Sequence, residues 1–200
     1  MLGEFDDLLE DIENEIDGSD IRKNCSKCIR PVSVCLCAHI ASPPIKTRAR
    51  VLIIQHPNEI KRPLRTVPLL QAALDDCHVI RCRKVYNINR PDIAAIVDKR
   101  PAFVLFPGEG AIPCEDLPSD ALIIAIDGTW KQARGMLGGS SGLAHLPKCQ
   151  VRNIPKTEYV IRTQPEEGFV STLEAISAAL AATENNPELH KTLTGQNASF

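Results

Sequence analysis

Four cysteines fall within thirteen residues: Cys25, Cys28, Cys35 and Cys37. Thiolates at Cys25-x2-Cys28 can reach one ion from a single turn, and Cys35-x-Cys37 supplies a second, tighter pair. A closed, structural zinc site is the chemistry this spacing predicts, with His39 as a substitute ligand. Lys27 and Arg30 lie beside or between the thiolates, where they would offset negative charge. Free thiols or a redox pair are the alternatives. Cys77, Cys82, Cys114 and Cys149 are scattered among apolar stretches and read as small buried hydrophobes.

A second set of reactive residues stands where apolar runs stop. One run ends in Gln55-His56-Pro57-Asn58-Glu59, another in Pro107-Gly108-Glu109-Gly110, a third in Asp127-Gly128-Thr129-Trp130. Ser171-Thr172-Leu173-Glu174 adds a helix start with capping-box spacing. Together they offer carboxylates, an imidazole, an indole and glycine amides, which suit a neutral or zwitterionic cofactor better than a polyphosphate. Each has a plain structural reading too. Asp127 could cap the next helix, Trp130 could be core, His56 could be a turn residue, and Glu174 could only cap. The first run lacks the G-x-G-x-x-G of dinucleotide sites, and no G-x-x-x-x-G-K-[ST] or G-x-S-x-G occurs.

The elements that must hold these residues follow from hydrophobic period. Strands are predicted over 50–55, 78–83 (more peripheral), 102–106, 121–126, 149–154 and 159–162, and helices over 66–75, 91–99, 130–137 and 172–182. Alternating strands and helices argue for an α/β domain with a largely parallel sheet, whose ligands bind beyond the strands' carboxyl ends. The organisation read from the chain is an acidic tail (1–20), a cysteine-rich knuckle and linker (21–44), a catalytic domain (45–182) and a loose, polar end (183–200).

At 200 residues, 44% hydrophobic and 24% charged, the composition is that of a globular chain and excludes disorder as its main theme. No apolar stretch is long enough for a membrane helix, and the acidic start does not read as a targeting peptide, so cytoplasm or nucleus is expected. The net charge of -2 conceals a split: residues 1–20 hold nine acidic and no basic residues, whereas 21–100 carry +11 and 101–200 carry -4. A polyanionic partner is the reading this asymmetry favours. With only 4% aromatics, an RNA-binding module built on base stacking is not expected, and recognition by shape and charge is.

Asp127-x-Thr129-Trp130, preceded by Leu105-Phe106-Pro107-Gly108 and followed by Ser171-Thr172-Leu173-Glu174-Ala175, resembles the DTW-domain family over about residues 22–180. The cysteine knuckle and His56-Pro57-x-Glu59 fit the same pattern. The family is similar to the SPOUT superfamily of knotted α/β RNA-modifying enzymes. Its characterised members are tRNA-uridine aminocarboxypropyltransferases. The resemblance implies transfer of the 3-amino-3-carboxypropyl group of S-adenosylmethionine to N3 of a tRNA uridine, with release of methylthioadenosine. It implies catalytic roles for Asp127, as acceptor of the N3 proton, and Trp130. Cofactor contacts would come from Gln55, Pro107, Gly108, Gly110, Asp127, Thr129, Trp130, Ser171, Thr172 and Glu174. RNA contacts would come from His56, Glu59, Arg62, Arg65, Lys131 and Arg134, with Arg48, Arg50, Lys61, Arg81, Arg83 and Lys84 able to track phosphates. The metal would be structural zinc on Cys25, Cys28, Cys35 and Cys37. Neither DNA nor a membrane is an expected partner. An RNA methyltransferase on the same scaffold and a non-catalytic zinc-containing RNA-binding protein are the alternatives. One departure from the family is expected: Asn185-Asn186-Pro187 leads to a polar end where members carry a further hydrophobic helix.

Overall fold

The computed structural model describes residues 24–26, 31–35, 37–40, 42–62, 65–97, 99–152 and 171–194. Among them are six strands: β1 (Arg50–Gln55), β2 (Cys77–Arg81), β3 (Ala102–Leu105), β4 (Ile112–Pro113), β5 (Leu122–Asp127) and β6 (Lys148–Gln150). They form one sheet in the order β2-β1-β5-β3-β6-β4, every pairing parallel. The helices are α1 (Val67–Ala73), α2 (Pro91–Val97), α3 (Trp130–Gly138), α4 (Ser141–Ala144), α5 (Thr172–Thr183) and α6 (Pro187–Thr194).

Central strands of a parallel sheet are covered on both faces, so their residues read as continuous apolar runs. Side chains still alternate between the faces. Val51, Ile53, Ile123 and Ala125 pack with Val67 and Leu70 of α1, Leu173 and Ile176 of α5, and Leu189 and Leu193 of α6. Leu52, Ile54, Leu122 and Ile124 pack on the other face with Ile93 of α2, Met136 of α3 and Leu143 of α4. Each fully buried Leu or Ile contributes about 1.5–3 kcal/mol relative to exposure.

The α/β class and the parallel sheet expected from the sequence are therefore present, and β2 occupies the peripheral position foreseen for it. Several boundaries differ. Of the strand expected over 149–154, Lys148–Gln150 is strand, Val151 lines a cleft described below, and residues 153–154 lie outside the described residues. β4 and α4 were not expected: each is too short to show a period. The strand expected over 159–162 lies outside the described residues. So do residues 153–170, between β6 and α5.

The segment from Thr183, expected to be loose, carries a helix. α5 closes with Asn185 at φ 52°, while Asn185 N–H and Asn186 N–H donate to the carbonyls of Ala182 and Ala181 at 3.1 and 2.8 Å. That is a Schellman stop, which asparagine tolerates. Pro187 then starts α6, whose Leu189, His190 and Leu193 are buried on one face. His190 Nδ1 and Ser177 Oγ of α5 hydrogen-bond at 2.8 Å. The average polarity of 183–200 hid three inward-facing residues at helical spacing.

Candidate active site

The register between two strands builds the centre of the site. Gln55 and Asp127 are the last residues of β1 and β5 and lie directly opposite each other. By alternation both side chains point to the face that α5 covers, one step beyond Ile53 and Ala125. Gln55 Nε2 donates to Asp127 Oδ2 at 2.9 Å, and Thr172 Oγ1 donates to Asp127 Oδ1 at 2.7 Å. His56 N–H donates to the Asp127 carbonyl at 2.8 Å. The carboxylate, 7% exposed, is thus fixed by one donor on each oxygen and still has a lone pair on each. Thr172 opens a twelve-residue helix, so the carboxylate also lies at a favourable dipole end.

Asp127 does not cap the following helix. Thr129 does: its Oγ1 accepts from Gln132 N–H, and Gln132 Oε1 accepts from Thr129 N–H at 2.8 Å. Thr129-x-x-Gln132 is a legible capping-box pattern that identifies Gln132 as part of the site's frame. Gly128 between them leaves a tight space, since a Cβ there would sit 3.2 Å from Gln132 Cβ. Ser171 and Glu174 form the equivalent box on α5, with Ser171 N–H donating to Glu174 Oε2 at 2.8 Å. Both are buried in that role.

Beside Asp127 the carboxyl ends of β3, β5 and β6 open around a cleft of about 230 Å3. Phe106 and Pro107 line it from β3, Ile126, Gly128 and Trp130 from β5 and α3, Gln150 and Val151 from β6, and Thr172 and Ala175 from α5. Trp130 is half-buried here rather than in the core, and meets Phe106 edge-on with ring centroids 5.8 Å apart. The walls are apolar with two neutral polar groups, a lining suited to a flat, uncharged ring system. Pro107 reaches the cleft, whereas Gly108 and Gly110 do not line it. They shape the exposed turn beside it: Ala111 N–H donates to the Gly108 carbonyl, and Gly110 holds φ 72°, which only glycine takes without strain.

Of the residues expected to meet RNA, three gather after β1. His56 begins a short helical turn, Pro57–Lys61, with Nδ1 accepting from Asn58 N–H at 3.2 Å. Burial, and then the Arg83 cation nearby, push its pKa below the ordinary value. Glu59 is 6% exposed; Oε2 pairs with Arg62 Nε at 3.0 Å, while Oε1 is buried with no hydrogen-bond partner among the described residues. Burial raises its pKa, Arg62 opposes that, and Asp127 adds to it. Arg65 lies elsewhere, lining a second cleft of about 270 Å3 with Gln55, Gln71 and Arg81. Lys131 and Arg134 are exposed on α3.

At the front of the chain, the Sγ atoms of Cys25, Cys35 and Cys37 all lie within 4.8 Å of one another. Cys25 and Cys37 are 3.6 Å apart, close to the roughly 3.8 Å that a tetrahedron with Zn–S of about 2.3 Å requires. Cys37 N–H points at Cys35 Sγ at 3.5 Å, and a bridge between Asn24 and Pro31 closes the loop. The donor set fits a thiolate-bound metal. Cys28 lies outside the described residues, as does the side chain of His39.

Comparison with known proteins identifies the family. The DTW domain model matches residues 22–196. The chain belongs to the DTW-domain family. The match runs through α6, beyond the 22–180 expected from motifs, so the polar end is part of the domain. A tRNA-uridine aminocarboxypropyltransferase 2 of Drosophila melanogaster is 36% identical over 196 residues, covering 95% of this DTW chain and 78% of that protein. The Macaca fascicularis protein of the same name is 37% identical over 179 residues, 86% of this chain. This chain spans only 60% of the macaque protein's length. The tRNA-uridine aminocarboxypropyltransferase A of Arabidopsis thaliana is 27% identical over 208 residues, 88% of this chain and 78% of its own. No solved structure gives a significant match.

Proposed function

We propose that this DTW protein transfers the 3-amino-3-carboxypropyl group of S-adenosylmethionine to N3 of a uridine in tRNA. The observation that carries the reading is the Asp127 carboxylate, oriented by Gln55 and Thr172 at the edge of the Trp130 cleft. The cofactor would supply an activated carbon whose leaving group is a neutral thioether. The apolar walls and Trp130 would hold its flat ring, and Gln150, Thr172 and the amides of the Gly108–Gly110 turn would meet its polar groups. Uridine N3 carries a proton that leaves as the new N–C bond forms, and Asp127 accepts it with one of its remaining lone pairs. Because two donors already fix the carboxylate, little reorganisation accompanies that step. His56, Glu59, Arg62, Arg65, Lys131 and Arg134 would contact the tRNA around the site.

Incubation with unmodified tRNA and labelled cofactor tests the reading, with mass analysis of the nucleosides. The expected products are an aminocarboxypropyl-uridine and methylthioadenosine, and Asp127→Ala should abolish both. S-adenosylhomocysteine with a methylated base would identify a methyltransferase instead. An unchanged nucleoside profile with wild-type protein would leave a binding protein.

We also propose that Cys25, Cys28, Cys35 and Cys37 hold one structural zinc. The metal would cross-link the front of the chain rather than take part in transfer. One zinc per chain is expected, lost on replacing Cys25 and Cys28 together. Full metal content after that double replacement would refute it.

A further inference from the structure

Tyr86 is 69% exposed, although it adjoins Val85, which is 1% exposed and packed in the core beneath α3. A large ring held in water is ordinary when its backbone is loose; here it is clamped. Val85 N–H donates to Ser140 Oγ at 2.9 Å, Gly142 N–H donates to the Val85 carbonyl at 2.8 Å, and Ser141 Oγ donates to the Tyr86 carbonyl at 3.0 Å. Both peptide groups flanking Tyr86 are therefore tied to the junction of α3 and α4. The glycines of that junction serve the same contact. A Cβ on Gly142 would lie 2.8 Å from the Val85 carbonyl oxygen, and one on Gly139 would lie 2.8 Å from Lys84 Cε. Ser140, Ser141 and Gly142 thus build a seat for residues 85–88.

The surroundings of the ring indicate its partner. Arg81, Arg83 and Lys84 precede it and are all exposed. Among the described residues no carboxylate lies within ion-pair distance of any of the three. The same stretch touches the site: Cys82 N–H donates to the Gln55 carbonyl at 3.2 Å, Arg81 lines the cleft it shares with Gln55, and Arg83 lies near enough to His56 to disfavour its protonation. An aromatic face on a fixed backbone among exposed cations is the combination that binds unpaired nucleotides, by stacking and by phosphate contact. A protein-docking patch of this area would instead need apolar neighbours, and among the described residues the other exposed large hydrophobics are Val32 and Ile60, outside this loop.

We propose that Tyr86 is a stacking platform for an unpaired base of the tRNA near the target uridine, with Arg81, Arg83 and Lys84 taking the adjoining phosphates. This rests on the transfer reading above and specifies how its substrate is gripped. The experiment is tRNA affinity and transfer kinetics of the full chain for wild type, Tyr86→Phe, Tyr86→Ala and Arg83→Ala at several salt concentrations. Tyr86→Ala should weaken tRNA binding about tenfold or more and raise KM for tRNA while kcat at saturating tRNA is kept. Its salt dependence should match wild type, because stacking releases no counterions, whereas Arg83→Ala should flatten the salt slope by roughly 0.7. Tyr86→Phe should stay within about twofold of wild type, since the ring face is retained. Cofactor affinity and melting temperature should be unchanged in both Tyr86 variants, which separates stacking from misfolding. Wild-type tRNA affinity in Tyr86→Ala, with transfer intact, would overturn this proposal alone. A wild-type chain that neither binds nor modifies tRNA would overturn the transfer reading with it.

Discussion

Two buried carboxyls beside the cleft differ in what surrounds them. Asp127 receives a donor on each oxygen; Glu59 has an arginine on one oxygen and, among the described residues, no partner on the other. Folding therefore charges Glu59 at a cost, and burial raises its pKa above 4.5. A carboxyl raised on folding contributes its full stability below the unfolded value and loses it as pH rises through the folded one. Glu59→Gln should accordingly raise the melting temperature by about 2–4 °C at pH 7, for about 1 kcal/mol of relieved burial cost. The advantage should vanish below about pH 4.5, where both side chains are neutral. Equal melting curves at every pH would show that the Arg62 pair fully offsets the burial. At this scale the sequence was legible in part. The abrupt ends of apolar runs marked Gln55 and Asp127 as candidate site residues, and a capping-box helix start marked Thr172. That they hold one another was not, because the partners of Asp127 lie 72 and 45 positions away and meet only through strand register and helix docking.

Between elements, the site depends on joints more than on the strands. Two capping boxes, Thr129 with Gln132 and Ser171 with Glu174, fix the starts of α3 and α5, the helices that bring Trp130 and Thr172 to Asp127. Both can be read in the sequence as S/T-x-x-E/Q. The α3–α4 joint cannot be, since glycine and serine runs read alike whether they form a loose turn or a seat for another loop. Gly142 distinguishes these. Its missing Cβ leaves room for the Val85 carbonyl and the Asn87 and Ile88 amides, at 2.8, 3.0 and 3.0 Å from where that carbon would be. All three are backbone atoms that cannot swing aside. Gly142→Ala should therefore cost about 1–3 kcal/mol, the range for overpacking a tight contact. It should also speed amide hydrogen exchange across residues 84–88. Unaltered exchange there would mean that the loop does not depend on the joint. α6 was missed for a related reason: its burial depends on Leu189 and Leu193, two residues that a polar average conceals.

At the scale of the whole molecule, parallel strands and their central hydrophobic runs could be read directly, but their order could not. β5 lies between β1 and β3, and only this insertion places Asp127 against Gln55 on one side and the cleft on the other. Charge is the property whose global pattern the sequence discloses best. Residues 21–100, which hold the knuckle, β1, β2 and the Tyr86 loop, carry +11, while residues 1–20 carry nine acidic groups. An acidic segment tethered to a basic domain competes with RNA phosphates for the same cations at a high effective concentration. Removing residues 1–20 should therefore tighten tRNA binding about threefold or more at roughly 50 mM salt, where the Debye length is longest. The gap should close toward roughly 300 mM salt, because screening weakens the competing tail and the RNA contacts alike. Transfer at saturating tRNA should be unaffected, since a competitor for the phosphate-binding cations acts on affinity and is displaced by excess RNA. Affinities that coincide at low salt would show that the acidic segment does not engage the basic half of the chain. An affinity that falls on truncation would make it part of the RNA-binding surface.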